Sequence, residues 1–245
     1  MSQLTQSTPE TLCRKSIGSL LLQYSVPAVI ASVATSLYNI IDSIFIGRGV
    51  GAMAIAGLAI TFPLMNLVMA FCMFIAVGGA AVSSIFLGQQ NRDRATDVLN
   101  NVLVLCLIHS VVFGGLAFVF LDDILIFFGA TDSTIPFARE FMQVILLGSP
   151  ISYVFIGLNN IMRATGYPRK AMISALLSVV ANIIIAPILI FKLDWGIRGA
   201  AFSTICGQTV ALIWVLIHFS SSKSFVHFDF RMSWLKWTIV RRIYA

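Results

Sequence analysis

Between Arg48 and Arg92 the chain carries no Asp, Glu, Lys or Arg, and about 20 consecutive apolar residues suffice for a helix to cross a bilayer. Five more uncharged runs lie between Lys15 and Asp42, Asp97 and Asp122, Glu140 and Arg163, Lys170 and Lys192, and Arg198 and Lys223. Across 245 residues, 58% are hydrophobic and only 11% charged, against about 25% charged in a soluble domain. Together these features exclude a soluble enzyme, a secreted disulfide scaffold and a single-anchor protein. An outer-membrane barrel would show segments of about ten residues alternating apolar and polar, whereas these runs are continuously apolar. The reading is an all-α membrane protein with six transmembrane helices. Residues 1–15 form an amino-terminal segment, 16–220 a six-helix lobe, and 221–245 an aromatic and basic tail. The first apolar run is longer than the h-region of a cleavable signal, so it is read as a retained span.

The net charge of +6 matters less than where the charges fall. With six spans, one set of ends holds Arg14, Lys15, Arg92, Arg94, Arg163, Arg169, Lys170, Lys223, Arg231, Lys236, Arg241 and Arg242. The other holds Arg48, Arg139, Lys192 and Arg198. This asymmetry places both termini in the cytoplasm of a cell whose plasma membrane the chain spans several times. Cys13, Cys72, Cys106 and Cys206 form no CxxC or CxH pattern, and His109 and His218 lie singly in separate spans. No metal site or disulfide is therefore expected, and lone histidines in apolar helices read as packing or interfacial residues.

The expected spans run over about 17–41, 54–77, 98–121, 141–162, 171–191 and 199–219. Pro27 should bend the first, because proline removes a backbone donor and crowds the preceding turn. Polar turns separate the spans, among them GQQNRDRAT and RATGYPRK, with an outer loop over Asp122–Pro136. From Ser220 onward aromatic and basic residues interleave, as in FVHFDFRMSWLKWTIVRRIYA. That pattern reads as a helix lying at the membrane surface in preference to a nucleic-acid contact. Small residues are dense in GRGVGAMAIAG, VGGAAVSS and GAAFSTICG, where close helix packing is the better explanation.

An ionisable residue within a span costs about 2.5 to 3.5 kcal/mol on insertion scales and is a functional candidate by default. Asp42, in YNIIDSIFIGRGVG, is that candidate, placed where the first span gives way to its outer loop. Helical spacing sets Tyr38 and Asn39 four and three residues before it, on a shared surface. The competing reading makes Asp42 a solvated or capping residue paired with Arg48, although the apolar IFI after it argues against exposure. Asn182 in VVANIIIAPILIF, Ser203, Thr204 and Gln208 in the sixth span, and Asn159 and Asn160 at the end of the fourth are uncharged hydrogen-bonding groups. They would either tie helices together or line a cavity. HExxH, Walker and GxSxG motifs are absent, as are paired carboxylates within a span, so no catalytic residues are assigned and no enzyme activity is expected.

Through SVPAVI, YNIIDSIFIGRGVGAMAIAGLAI, GQQNRDRA, FFGATDSTIPFAREF, NNIMRATGYPRK, NIIIAPILIF and WGIRGAAFSTICGQ, in that order, the chain resembles the multidrug and toxic compound extrusion (MATE) transporters. The resemblance implies the first six-helix lobe of a MATE-like twelve-helix transporter. It implies that Asp42 couples export to protons or sodium, and that Pro27 matches a proline at which the first helix bends in some members. Tyr38, Asn182 and Thr204 match polar neighbours of that aspartate, and Asn160 belongs with them unless Asn159 takes its place. Many members carry a second acid four residues after the span-five asparagine, in an NxxxDP pattern. Here that position is Ala186, so coupling would rest on Asp42 with neutral ligands or on residues of a second lobe.

The resemblance thus implies a cation-coupled multidrug efflux antiporter, exporting amphipathic organic cations without a cofactor, the coupling ion being H+ or Na+. Its partners would be the lipid bilayer, small organic cations, and a second six-helix lobe or another copy of the chain, with no nucleic acid. Two alternatives stand beside it. One is a truncated, non-transporting fragment or assembly unit. The other is a lipid-linked oligosaccharide flippase, which the absence of Lys and Arg from the span interiors disfavours.

Overall fold

The computed structural model describes residues 16–221, 224–228 and 235–244, and among them every regular element is a helix. In chain order these are α1 (Ile17–Gly49), α2 (Ala52–Gly88), α3 (Arg92–Val119), α4 (Leu121–Phe127), α5 (Ile135–Leu147), α6 (Ser149–Ala164), α7 (Pro168–Pro187), α8 (Gly196–Ser220) and α9 (Trp237–Tyr244). A five-residue π turn, Ile188–Lys192, continues α7. The segment 1–15, with Arg14 and Lys15, and the tail residues Lys223 and Arg231 lie outside the described residues.

Five helices are individually long and apolar enough to cross a membrane, and α5 with α6, bent by 56° from each other, are so when taken together as one span. The fourth expected span is therefore not one straight helix. Pro150, in the first turn of α6, has no N–H to offer the preceding turn and crowds its carbonyl, so the bend falls at Gly148. The outer loop expected over 122–136 contains the short helix α4, and Arg139 closes a two-pronged ion pair on Asp122 there at 2.7 and 2.8 Å.

The largest departure at the amino-terminal end concerns α1. It was expected to stop at residue 41, yet it continues to Gly49, and Val50 and Gly51 alone connect it to α2. The apolar Ile44-Phe45-Ile46 extends the helix, so Asp42 lies two turns inside it. The helix also runs unbroken through Pro27. Only one edge of α1 is covered: Pro27, Ala31, Asp42 and Ile46 are buried, at spacings that return to one face of a 3.6-residue helix. That edge meets chiefly α7. The remaining surface displays Val26, Val29, Val33, Leu37, Ile40 and Ile44.

Two apolar clusters hold the bundle together. One, toward the α2–α3 turn, joins Val82 and Phe86 of α2 to Leu99 and Val102 of α3, Tyr153 and Leu158 of α6, and Phe219 of α8. The other, toward the opposite end, joins Leu64, Leu125, Met142, Ile190 and Ala201 to Ile46 of α1. The small residues lie where helices approach most closely. A Cβ on Gly79 would strike Val102, and one on Gly157 would come within 2.6 Å of the Cys106 sulfur.

The tail packs one face against the lobe. The Lys236 backbone N–H donates to Asn101 Oδ1 at 2.8 Å and its ammonium pairs with Asp97 at 2.7 Å, while the Tyr244 hydroxyl lies 2.8 Å from His109 Nε2. From Asn101 to His109 is about 12 Å along α3 at 1.5 Å per residue. Helix α9 therefore runs beside α3 into the lobe, with Ile239, Val240 and Ile243 buried. Its depth was not legible from the aromatic and basic pattern, because Asp97 and Asn101 are distant in sequence.

Candidate functional site

Asp42 is only 8% exposed, and its Oδ1 has no hydrogen-bond partner among the described residues. Such buried polar atoms are uncommon, since leaving a carboxylate oxygen unsatisfied is costly. Four residues earlier on the same edge of α1, the Tyr38 hydroxyl lies 2.9 Å from Thr204 Oγ1 of α8. Asn182 of α7 donates to the same Thr204 oxygen at 3.2 Å and to Ser203 Oγ at 3.3 Å. One hydroxyl thus joins three helices beside the carboxyl group. Asp42 is the only carboxylate on α1, α7 and α8, and Ala186 is fully buried in the apolar cluster that includes Ile46 and Ile190.

Tyr38, Asn182 and Thr204 are therefore brought together, with Asp42 one helical turn along α1 from Tyr38. Asn39 is not. On a helix the residues at i−4 and i−3 flank position i from opposite sides, by about 40° and 60°, and the contact with α7 and α8 falls on the Tyr38 side. Asn39 is exposed and lines a separate open groove with Ser43, Arg48 and Ile55. Arg48 faces that groove as well, so the geometry supplies no Asp42–Arg48 pair of the kind a solvated cap would make. Asn160 is half-buried and donates to its own helix at Ile156 O, 2.9 Å away. Its neighbour Asn159 is buried and fastens α6 to α7 through Ala171 O and Ser174 Oγ, at 3.0 and 2.6 Å. Neither asparagine joins the Asp42 cluster.

For Thr204 and Gln208 the sequence left open a cavity or a helix contact, and it did not indicate the methionines and Ser152 that face them. Thr204 also borders a cavity of about 70 Å³ within the lobe, lined by Met65, Met69 and Met142 together with Ser152 and Gln208. Ser152 donates its hydroxyl to Gln208 Oε1, and Tyr153 donates to Val68 O at 2.7 Å. The available signal was the i, i+4 spacing of Thr204 and Gln208, which sets both on one face of α8. Pairing with α6 depends on the bend at Gly148.

Thr204→Val tests the junction. Removing the shared hydroxyl strands the Tyr38 O–H and one donor of Asn182, at a cost of about 1 kcal/mol per lost hydrogen bond, so thermal stability in detergent should fall. In a Tyr38→Phe background the same change should cost less, because one of the two bonds is already absent. Strictly additive effects would show that the two hydroxyls are not coupled.

The MatE family model matches residues 27–188. The chain is 28% identical over 214 residues to the multidrug export protein MepA of Staphylococcus haemolyticus, covering 87% of this chain and 47% of that protein. It is 29% identical over 206 residues to MepA of Staphylococcus saprophyticus, with coverages of 84% and 46%. Among solved structures it is similar to a multidrug resistance MATE family transporter of the MOP superfamily in an outward-facing conformation. The TM-score there is 0.89 at 25% identity, over 98% of this chain and 53% of that one. The chain thus spans about half the length of the relatives it matches.

Proposed function

The chain belongs to the MatE family, and we propose that it acts as the amino-terminal lobe of a cation-coupled multidrug efflux antiporter that exports amphipathic organic cations. The observation that carries this reading is the unpartnered carboxylate oxygen of Asp42, buried beside the three-helix junction at Thr204. An anion held there can be satisfied by taking up a proton or a sodium ion. Uptake changes the charge next to Tyr38 and so biases the Tyr38–Thr204–Asn182 contacts on which α1 is seated against α7 and α8. Such a seat, occupied differently in two charge states, is a two-state element of the kind alternating access requires. Neutralising Asp42 also removes the local attraction for a cationic substrate, which favours release. No covalent chemistry is involved. A second six-helix lobe, or another copy of this chain, would close the other side of the path.

The test is efflux of a fluorescent organic cation from cells lacking their own exporters, with this chain expressed beside a carboxyl-terminal lobe. Export should stop when either the proton gradient or the sodium gradient is collapsed, and which one identifies the coupling ion. Export that survives the loss of both would overturn ion coupling.

The same proposal includes an orientation with both termini in the cytoplasm, from the distribution of basic residues. Single cysteines placed at Asp93 and Asp132 should react with an impermeant thiol reagent from the cytoplasmic and outer faces respectively. Labelling of the Asp93 position from outside would reverse the topology.

A further inference from the structure

Helix α9 carries two adjacent arginines with different surroundings. Arg242 lies over the Phe86 ring, 5.3 Å from its centroid, with Arg94 at 5.9 Å from the same ring. Arg241 lies on the other side, exposed, and lines an open groove of about 620 Å³ between α3 and α9. Leu105, Ile108 and Val240 make this groove apolar, and Trp237 and Tyr244 border it. Trp237, Arg241 and Tyr244 are spaced i, i+4, i+7, which sets aromatic, guanidinium and aromatic on one stripe. Among the described residues Arg241 has no carboxylate partner, and the neighbouring carboxylate, Asp97, is occupied by Lys236.

We propose that this groove binds an anionic phospholipid of the leaflet at the amino-terminal end of α3, its phosphate on Arg241 and an acyl chain along Leu105, Ile108 and Val240. The groove faces outward from the lobe, since the opposite face of α9, with Ile239 and Ile243, is the buried one. It starts at the level where Lys236 meets Asn101 and descends to the level of His109, so one end lies near the headgroups and the other toward hydrocarbon. A planar guanidinium grips a phosphate through two parallel N–H donors, and Trp237, beside Lys236 at the upper end of the groove, is the kind of side chain that settles at headgroup depth. An arginine beside an apolar channel thus matches both halves of a phospholipid, and its positive charge selects an anionic headgroup over a zwitterionic one.

The full chain, purified in mild detergent, can be mixed with equal amounts of dioleoyl phosphatidylglycerol and dioleoyl phosphatidylcholine and examined by native mass spectrometry. Phosphatidylglycerol should be retained about tenfold more strongly, the scale of one charge-assisted hydrogen-bonded contact. Arg241→Gln should bring its retention down to the phosphatidylcholine level, Arg241→Lys should lose part of it, and Trp237→Ala should also weaken it. Arg48→Gln, at the opposite end of the lobe, should leave it unchanged. Equal retention of the two lipids by the parent chain, which requires no variant to fold, overturns the site. So does an Arg241→Gln chain that keeps its preference for phosphatidylglycerol.

Discussion

Asp42→Asn is expected to abolish coupled export in a two-lobe assembly while leaving the lobe folded and inserted. The side chains match in size, and an amide can accept and donate hydrogen bonds, but it cannot exchange a proton and carries no charge for a sodium ion. Burying a neutral amide costs less than burying a carboxylate, so thermal stability should be unchanged or slightly higher. Loss of transport without loss of stability separates a coupling role from a structural one. Arg48→Gln supplies the contrast. Arg48 is exposed and lines the groove on the other side of α1, and removing an exposed charge of that kind is worth about 0 to 1 kcal/mol, so export should persist. Full drug resistance from the Asp42→Asn assembly would remove Asp42 from the mechanism. With Ala186 buried among apolar residues, α1, α7 and α8 would then hold no carboxylate able to couple transport.

The second large effect is expected at Gly207, through packing. A Cβ there would come within 2.6 Å of the backbone oxygen of Ser178 and 3.3 Å of Asn182 N and Cβ. Backbone cannot rotate away as a flexible side chain can, so even alanine must push α8 from α7. Alanine improves helix propensity over glycine by about 1 kcal/mol, whereas overpacking costs about 1 to 3 kcal/mol and sometimes more. The clash should therefore win for Gly207→Ala and be severe for Gly207→Leu. Gly115 is the internal control: a Cβ there meets nothing within 4 Å, so Gly115→Ala should be neutral or mildly stabilising. The measurement is the fraction of protein surviving a heat challenge in detergent, read by size-exclusion chromatography. Because Asn182 and Thr204 lie on the two helices being separated, Gly207→Ala should also impair export before it unfolds the lobe. Equal melting of the Gly207→Ala and Gly115→Ala chains would show that the α7–α8 contact is not tight.

The all-helical architecture, the apolar spans and the candidacy of Asp42 were legible in the chain itself. Long uncharged runs have few solutions in a bilayer, because every backbone N–H and C=O in hydrocarbon must be satisfied internally and a continuously apolar segment does so as a helix. A carboxyl group inside such a segment stands out for the same reason. Helical spacing already set Tyr38 near Asp42 and the polar pattern singled out Asn182 and Thr204; the family likeness grouped them, and the structure joins Tyr38, Asn182 and Thr204 at one hydroxyl.

What the linear pattern left open were matters of rotation, length and partners. Tyr38 and Asn39 are adjacent and equally polar, and only the docking of α1 against α7 and α8 selects Tyr38 for the interior and turns Asn39 to the groove. Asn159 and Asn160 were likewise interchangeable until the approach of α7 gave Asn159 its partners. An apolar run sets the minimum length of a span but not where its helix ends, so α1 could extend two turns past Asp42. The descent of α9 beside α3 required Lys236 to meet Asp97 and Asn101 from 139 and 135 positions away. Local hydrophobicity determined that these segments are helices in a membrane. Which face each one buries, and which polar groups meet there, was decided by contacts between residues far apart in the chain, because a side chain's direction becomes defined only when a neighbouring helix covers one side of its own.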